Sequence, residues 1–287
     1  MGNVVSRLRD WLRHPSLRVG AIASLAFVLI GFVSILWTPY PIENISIGRA
    51  MQGFSSAHWL GTDHLGRDML SLVMKGTLTS FIVAAIAVGI GALIGIPLGL
   101  AAASWGGPAE WAILRVNDFL FAFPALIVAM LITTLFGPGA INAMIAVGIF
   151  NIPVFARVAR GGALSLRTLD YIAAARLAGM GPIEIARRHI LPNIAGLIIV
   201  QATIQLALGI LAEASLSYVG LGTQPPATSL GLMLRDAQTY ALLNPSMALI
   251  PGITIILIVV ALNLAGDGLR DQLDPKLRRI GGSRGIA

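Results

Sequence analysis

Five long stretches of this chain carry no charged residue: 19–37, 78–104, 119–156, 190–212 and 245–266. A helix needs about 20 apolar residues to cross the hydrocarbon core of a bilayer. Each stretch therefore reads as one span, except 119–156, which is about two spans long. The triplet Gly137-Pro138-Gly139 divides that stretch into a hairpin, because glycine and proline punctuate helices. The pattern predicts an all-α integral membrane protein with six transmembrane helices. The first run is not read as a cleavable signal, since it is long and no A-x-A-like site follows it.

The polar positions orient the spans. Arg7, Arg9, Arg13 and Arg18 precede the first span. Arg157, Arg160, Arg167, Arg176, Arg187 and Arg188 surround the connection between the fourth and fifth, and Arg270, Lys276, Arg278, Arg279 and Arg284 follow the last. With an even span number these groups share one side with Arg115, leaving Arg49, Arg67, Arg235 and Lys75 opposite. The positive-inside rule then puts both termini in the cytoplasm. Residues 1–18 form a cytoplasmic N-terminal segment, and 19–287 a transmembrane domain. Segments 38–77 and 220–244 lie outside and 157–189 inside.

Composition narrows the class. Only 11% of the 287 residues are charged, against about 25% in soluble domains. The absence of cysteine excludes disulfides and thiolate chemistry. A net charge of +7 could point to nucleic acid, but no basic patch interleaved with aromatics accompanies it. Retained cytoplasmic Lys/Arg explains it, so no nucleic-acid partner is expected. No G-x-x-x-x-G-K-[ST] phosphate loop is present. Hence the chain is not expected to hydrolyse ATP or to bind a cofactor itself.

Segment 157–189 is too long for a turn and too polar to span. Residues 170–178 favour helix, Gly179 and Gly181-Pro182 break it, and 183–191 read as a second helix. Pro192 can open the fifth span, where a first-turn proline is tolerated. The resulting helix–glycine–helix either receives a partner or lies as an amphipathic helix on lipid headgroups. Gly91, Gly95 and Gly99 share one face of the second span, suited to close packing or to a pathway wall.

The stretch YIAAARLAGMGPIEIARRHILPN (171–193) resembles the EAA loop of ABC importer permeases, with Ala174, Ala175, Gly179, Ile190, Leu191 and Pro192 matching and Ala173 where the family usually has Glu. HWLGTDHLGRDMLS (58–71), RVNDFLFAFPAL (115–126), LAEASLSYVGLGTQPP (211–226) and GDGLRDQLDPKLR (266–278) resemble, in order, further segments of the dipeptide/oligopeptide/nickel permeases, in particular the second, C-type chain. The resemblance implies a type I ABC importer permease forming half of a pathway for di- or oligopeptides or related solutes. It implies three kinds of partner besides the bilayer lipid: a second homologous permease, two ATP-binding subunits that use ATP and Mg, and an extracytoplasmic substrate-binding protein. It implies a prokaryotic inner-membrane location. It also assigns Tyr171, Ala174, Ala175, Arg176, Gly179, Arg187, Leu191 and Pro192 to an ATPase-coupling loop. An ion-coupled secondary transporter is the alternative, and such proteins more typically show internal repeats.

Several polar residues invite stronger readings. Glu213, near the outer end of the fifth span, is an intramembrane polar site whose role is either in transport or in hydrogen bonding to a neighbouring helix. His58, Asp63, His64 and Asp68 fit no metal signature. Asp63 or Thr62 is expected to cap a short helix with Arg67 paired to a carboxylate, and Arg115 to pair with Asp118 or cap. No serine has the partners of a nucleophile, and no catalytic residue is assigned.

Overall fold

The computed structural model describes residues 15–273, so the arginines of 1–14 and the basic tail beyond 273 lie outside the described residues. Among the described residues nine α-helices follow in order, besides a short 3-10 turn at Ile47–Arg49: α1 Pro15–Leu36, α2 Met69–Trp105, α3 Gly107–Phe121, α4 Ala125–Phe136, α5 Ala140–Leu166, α6 Asp170–Leu177, α7 Pro182–Val219, α8 Leu230–Gln238 and α9 Ser246–Leu273. Among the described residues α1, α2, α5, α7 and α9 are each long and apolar enough to cross a membrane, and α3 with α4 makes a sixth candidate. Exposed Ile22, Leu25, Phe32, Leu197, Ile253 and Ile256 coat the outside of the bundle, as a lipid-facing surface requires.

The third span departs from the expected straight helix. α3 and α4 meet at 83°. Pro124 is extended, with ψ 123°, and immediately precedes α4; proline disfavours helix in the residue before it, so the chain turns at Phe123. The twelve residues of α4 rise about 18 Å, short of the hydrocarbon thickness of about 30 Å. The charge-free run begins only at Phe119, so it covered α4 but not α3, which carries Glu110, Arg115 and Asp118.

Small residues set the packing. A Cβ at Gly91 would lie 2.2 Å from Asn151 Cβ, one at Gly95 2.3 Å from the Ile152 carbonyl oxygen, and one at Gly99 2.2 Å from that of Ala156. The glycine stripe of α2 therefore lets α5 approach to backbone contact, the two helices running parallel. Gly20 does the same for α1 against Ala265 of α9. Gly162 meets Ile194, and Gly209 meets Ala84, so α7 runs antiparallel to both α2 and α5. Pro15, Trp105, Leu166 and Leu273 consequently share one end of the bundle, with α6 beside them.

The second helix of the 157–189 segment is not separate from the fifth span. α7 runs unbroken from Pro182, with a π turn at Ala186–Ile190 whose Leu191 N–H reaches the Ala186 carbonyl. Pro192 cannot donate to Arg188, four residues back, and its ring crowds that carbonyl. The widened turn just before it accommodates both problems.

Candidate functional site

α6 is built from Asp170 in its first turn to Arg176 in its last, charges that complement the helix dipole. Gly179 ends it with φ +84°. Its N–H bonds the Arg176 carbonyl at 3.0 Å, and the Met180 N–H bonds that of Ala175 at 3.1 Å. This paired closure needs a left-handed residue, hence glycine. Ile172 and Ala175 face inward, in a cluster with Leu100, Ala159, Ile185 and Ile194. Tyr171, Ala174, Arg176 and Leu177 face out, Leu177 being 90% exposed. Gly179 and Arg187 are also exposed, while Leu191 is half-buried and Pro192 exposed at the base of α7. The two alanines of the sequence motif thus divide: Ala175 seats α6 on its own bundle and Ala174 is exposed.

Ion pairs gather at this end. Arg157 donates to Asp118 at 2.8 Å, Arg160 pairs with Glu110, and the Arg167 guanidinium donates to the Ala103 carbonyl. Asp118 therefore pairs across to α5 rather than with Arg115, which lies over the Trp111 ring. Residues three apart on one helix were the nearer guess, but Arg157 packs beside Phe121 at the end of that helix and reaches the carboxylate first.

At the other end, the LGTD-x-x-GRD motif folds as a turn. Asp63 Oδ1 accepts from the Leu65 and Arg67 amides at 2.8 Å, and Asp63 Oδ2 accepts from Arg67 Nε at 2.6 Å. The cap of α2 is Asp68, which accepts from the Ser71 N–H at 2.8 Å and meets His58 Nδ1 at 2.9 Å. Neither Asp63 nor Thr62 caps it: Asp63 is spent on its own turn, and the Thr62 hydroxyl donates to the Arg49 carbonyl. His64 stacks on Tyr240. Arg67 also approaches Asp236 of α8 at 3.6 Å. Burial, outweighing His64 and Arg67, pushes the Asp236 carboxyl above its usual range.

Glu213 is wholly buried and accepts three hydroxyls: Ser80 at 2.7 Å, Ser217 at 2.6 Å and Thr223 at 3.2 Å. It ties α7 to α2 and to the segment after α7. Sequence reasoning missed a different polar pair. Asn151 of α5 accepts from Gln205 of α7 at 2.7 Å, beside a cavity of about 380 Å³ in the angle between α3–α4, α5 and α7. Phe121, Phe123 and Phe150 supply much of its apolar wall. The separation of 54 positions between the two amides hid the pairing; the only signal was that both stand in charge-free runs.

Residues 95–279 match the family described as binding-protein-dependent transport system inner membrane component. This chain belongs to that family, as a permease subunit of an ABC importer and a multi-pass membrane protein. Among its relatives, the glutathione transport system permease protein GsiD of Pectobacterium atrosepticum is 43% identical over 93% of this chain and 90% of its own length. The dipeptide transport system permease protein DppC of Alkalihalophilus pseudofirmus is 39% identical over 91% and 86%. A chain from inward-facing crystal forms of the MetNI methionine ABC transporter shares the fold, with TM-score 0.59 and 20% identity over 72% of this chain and 98% of that one.

Proposed function

We propose that this chain forms one half of a peptide-type translocation pathway, paired with a second, homologous permease chain. An extracytoplasmic binding protein delivers solute and two separate ATP-binding subunits drive the cycle. Likeness to glutathione and dipeptide permeases over nearly the whole chain supports the cargo class. The ATPase contact is the outward face of α6 with the Gly179 turn. The observation that carries this assignment is that α6 projects Tyr171, Ala174, Arg176 and Leu177 from the end of the bundle on a rigidly capped, inwardly anchored helix. Such an element transmits force because its buried side ties it to α2, α5 and α7. That end faces the cytoplasm, in keeping with its Arg157, Arg160, Arg167, Arg176, Arg187 and Arg188.

Co-purification tests the assembly. A tag on this chain, in cells encoding the neighbouring transport genes, is expected to recover a second permease and ATP-binding subunits in stoichiometric amounts. The chain alone is expected to be inert toward ATP, with turnover appearing when the ATP-binding subunits are added. Sustained hydrolysis by the rigorously purified single chain would overturn the assignment of ATP use to partners.

A further inference from the structure

Little holds α3 to the bundle. Asn117 is its only buried residue, and Trp111, Val116 and Phe119 are exposed. Both of its carboxylates are taken by arginines of α5. Asp118 accepts from Arg157 at 2.8 Å, and Glu110 accepts from Arg160 Nε at 2.8 Å. Both pairs are partly open to solvent, and ion pairs in that setting are individually weak. They hold the helix without locking it.

Both ends of α3 are built to turn. Gly106 and Gly107 join it to α2 with φ +67° and +56°, a conformation open to glycine because it has no Cβ. Nothing lies within 4 Å of where a Cβ would stand at Gly107, and at Gly106 only the Glu110 carboxylate does, at 3.9 Å. Packing therefore does not fix this turn. At its other end the chain bends by 83° into α4. Hinges are typically a few element-terminal residues that absorb a change in φ and ψ. The helix also bears on the cavity. Phe121 and Phe123 line it, and the Arg157 guanidinium that grips Asp118 lies 4.1 Å from the centre of the Phe121 ring. One arginine thus fixes the carboxylate and the cavity wall together.

We propose that α3 is a hinged strap, latched onto α5 by Asp118–Arg157 and Glu110–Arg160. When these pairs part, it swings about Gly106-Gly107 and the Phe123–Pro124 turn and withdraws Phe121 from the cavity. Partners that bind one strap position better than the other shift it, and the ATP-binding subunits of the importer are such partners. The alternative is a permanent strut, whose ion pairs never part during the cycle.

The experiment uses the complete importer in liposomes, with partner subunits whose own thiols are replaced and with trialanine and S-methylglutathione as probes. The cysteine-free chain carries Asp118→Cys/Arg157→Cys. A short bifunctional methanethiosulfonate joins the two thiols, and dithiothreitol releases them. Uptake per complex is expected to fall about tenfold on crosslinking and to recover on release. Full uptake by crosslinked complexes overturns the strap and leaves the strut. The crosslink yield reads the movement without transport. It is expected to drop about threefold when ATP and vanadate trap the ATP-binding subunits. Equal yields in the nucleotide-free and trapped complexes overturn the swing. Glu110→Cys/Arg160→Cys repeats both measurements at the second latch where the first pair prevents assembly. Transport of neither probe by the native complex overturns the peptide reading above, while the crosslink yield still decides the strap.

Discussion

Ala174 and Ala175 are adjacent in sequence and opposite in consequence. Ala175 is 7% exposed and packed among Ile172, Ile185 and Ala159, whereas Ala174 is exposed. Overpacking typically costs about 1–3 kcal/mol, and an unpaired buried charge adds to it. Ala175→Arg is therefore expected to lower the abundance of the chain in the membrane. Ala174→Arg is expected to leave abundance unchanged but to reduce recovery of the ATP-binding subunits. Full ATPase recovery and full uptake with Ala174→Arg, at matched abundance, would remove this face as the docking surface and favour a helix lying on headgroups. Glu213 argues from the opposite direction, being wholly enclosed. Glu213→Leu strands the Ser80, Ser217 and Thr223 hydroxyls, each a buried donor worth about 1–3 kcal/mol when unsatisfied. Thermal unfolding in detergent is expected to shift well downward, and less so for Glu213→Gln, which retains one acceptor. An unchanged midpoint for Glu213→Leu would show that these bonds do not support the fold.

At the scale of elements, what the sequence disclosed was local and what it hid was long-range. Charge-free runs located the spans, and the glycine stripe of α2 located its packing face, since both follow from neighbours in sequence. Gly179 marked the end of α6 because a left-handed closure there admits little else. The charge-free run that marked the third span did not reach α3, which joins α4 at an angle, and the partner of Asp118 sits 39 residues away. The Asn151–Gln205 pair is a meeting of two spans, invisible to any window along the chain. The outer turn shows the same division: its motif was recognisable, while Asp236 enters it from α8. Asp236 carries the pH prediction for this element. Its carboxyl titrates above the ordinary aspartate range because of burial, so between the unfolded and the raised folded value the folded chain binds more protons than the unfolded one. Stability from this group consequently decreases as pH rises through that window. Asp236→Asn removes the titration, so the difference in unfolding midpoint between native and variant chains is expected to favour the variant increasingly as pH rises from about 4. A difference that does not vary with pH would contradict the burial-driven shift.

For the whole molecule, orientation decides which end meets ATP and which meets the delivered solute. The packing fixes the relative arrangement: Pro15, α6 and Leu273 at one end, the 38–68 segment and α8 at the other. Which side each end faces follows from charge. The α6 end carries Arg157, Arg160, Arg167, Arg176, Arg187 and Arg188, the charge bias on which the proposed cytoplasmic placement of that end rests. The absence of cysteine makes this directly measurable. Burial selects the reporters, since Thr62 and Thr223 are each 1% exposed and would be silent, whereas Ser56, Thr239 and Thr168 are exposed. Cysteine at Ser56 or Thr239 is expected to react with an impermeant maleimide added to cells whose outer barrier is opened and whose inner membrane is intact. Cysteine at Thr168, two residues before α6, is expected to react only after that membrane is permeabilised. Labelling at Thr168 in intact membranes, with none at Ser56, would invert the orientation. It would put α6 out of reach of any cytoplasmic ATPase, and the proposed coupling would fall with it.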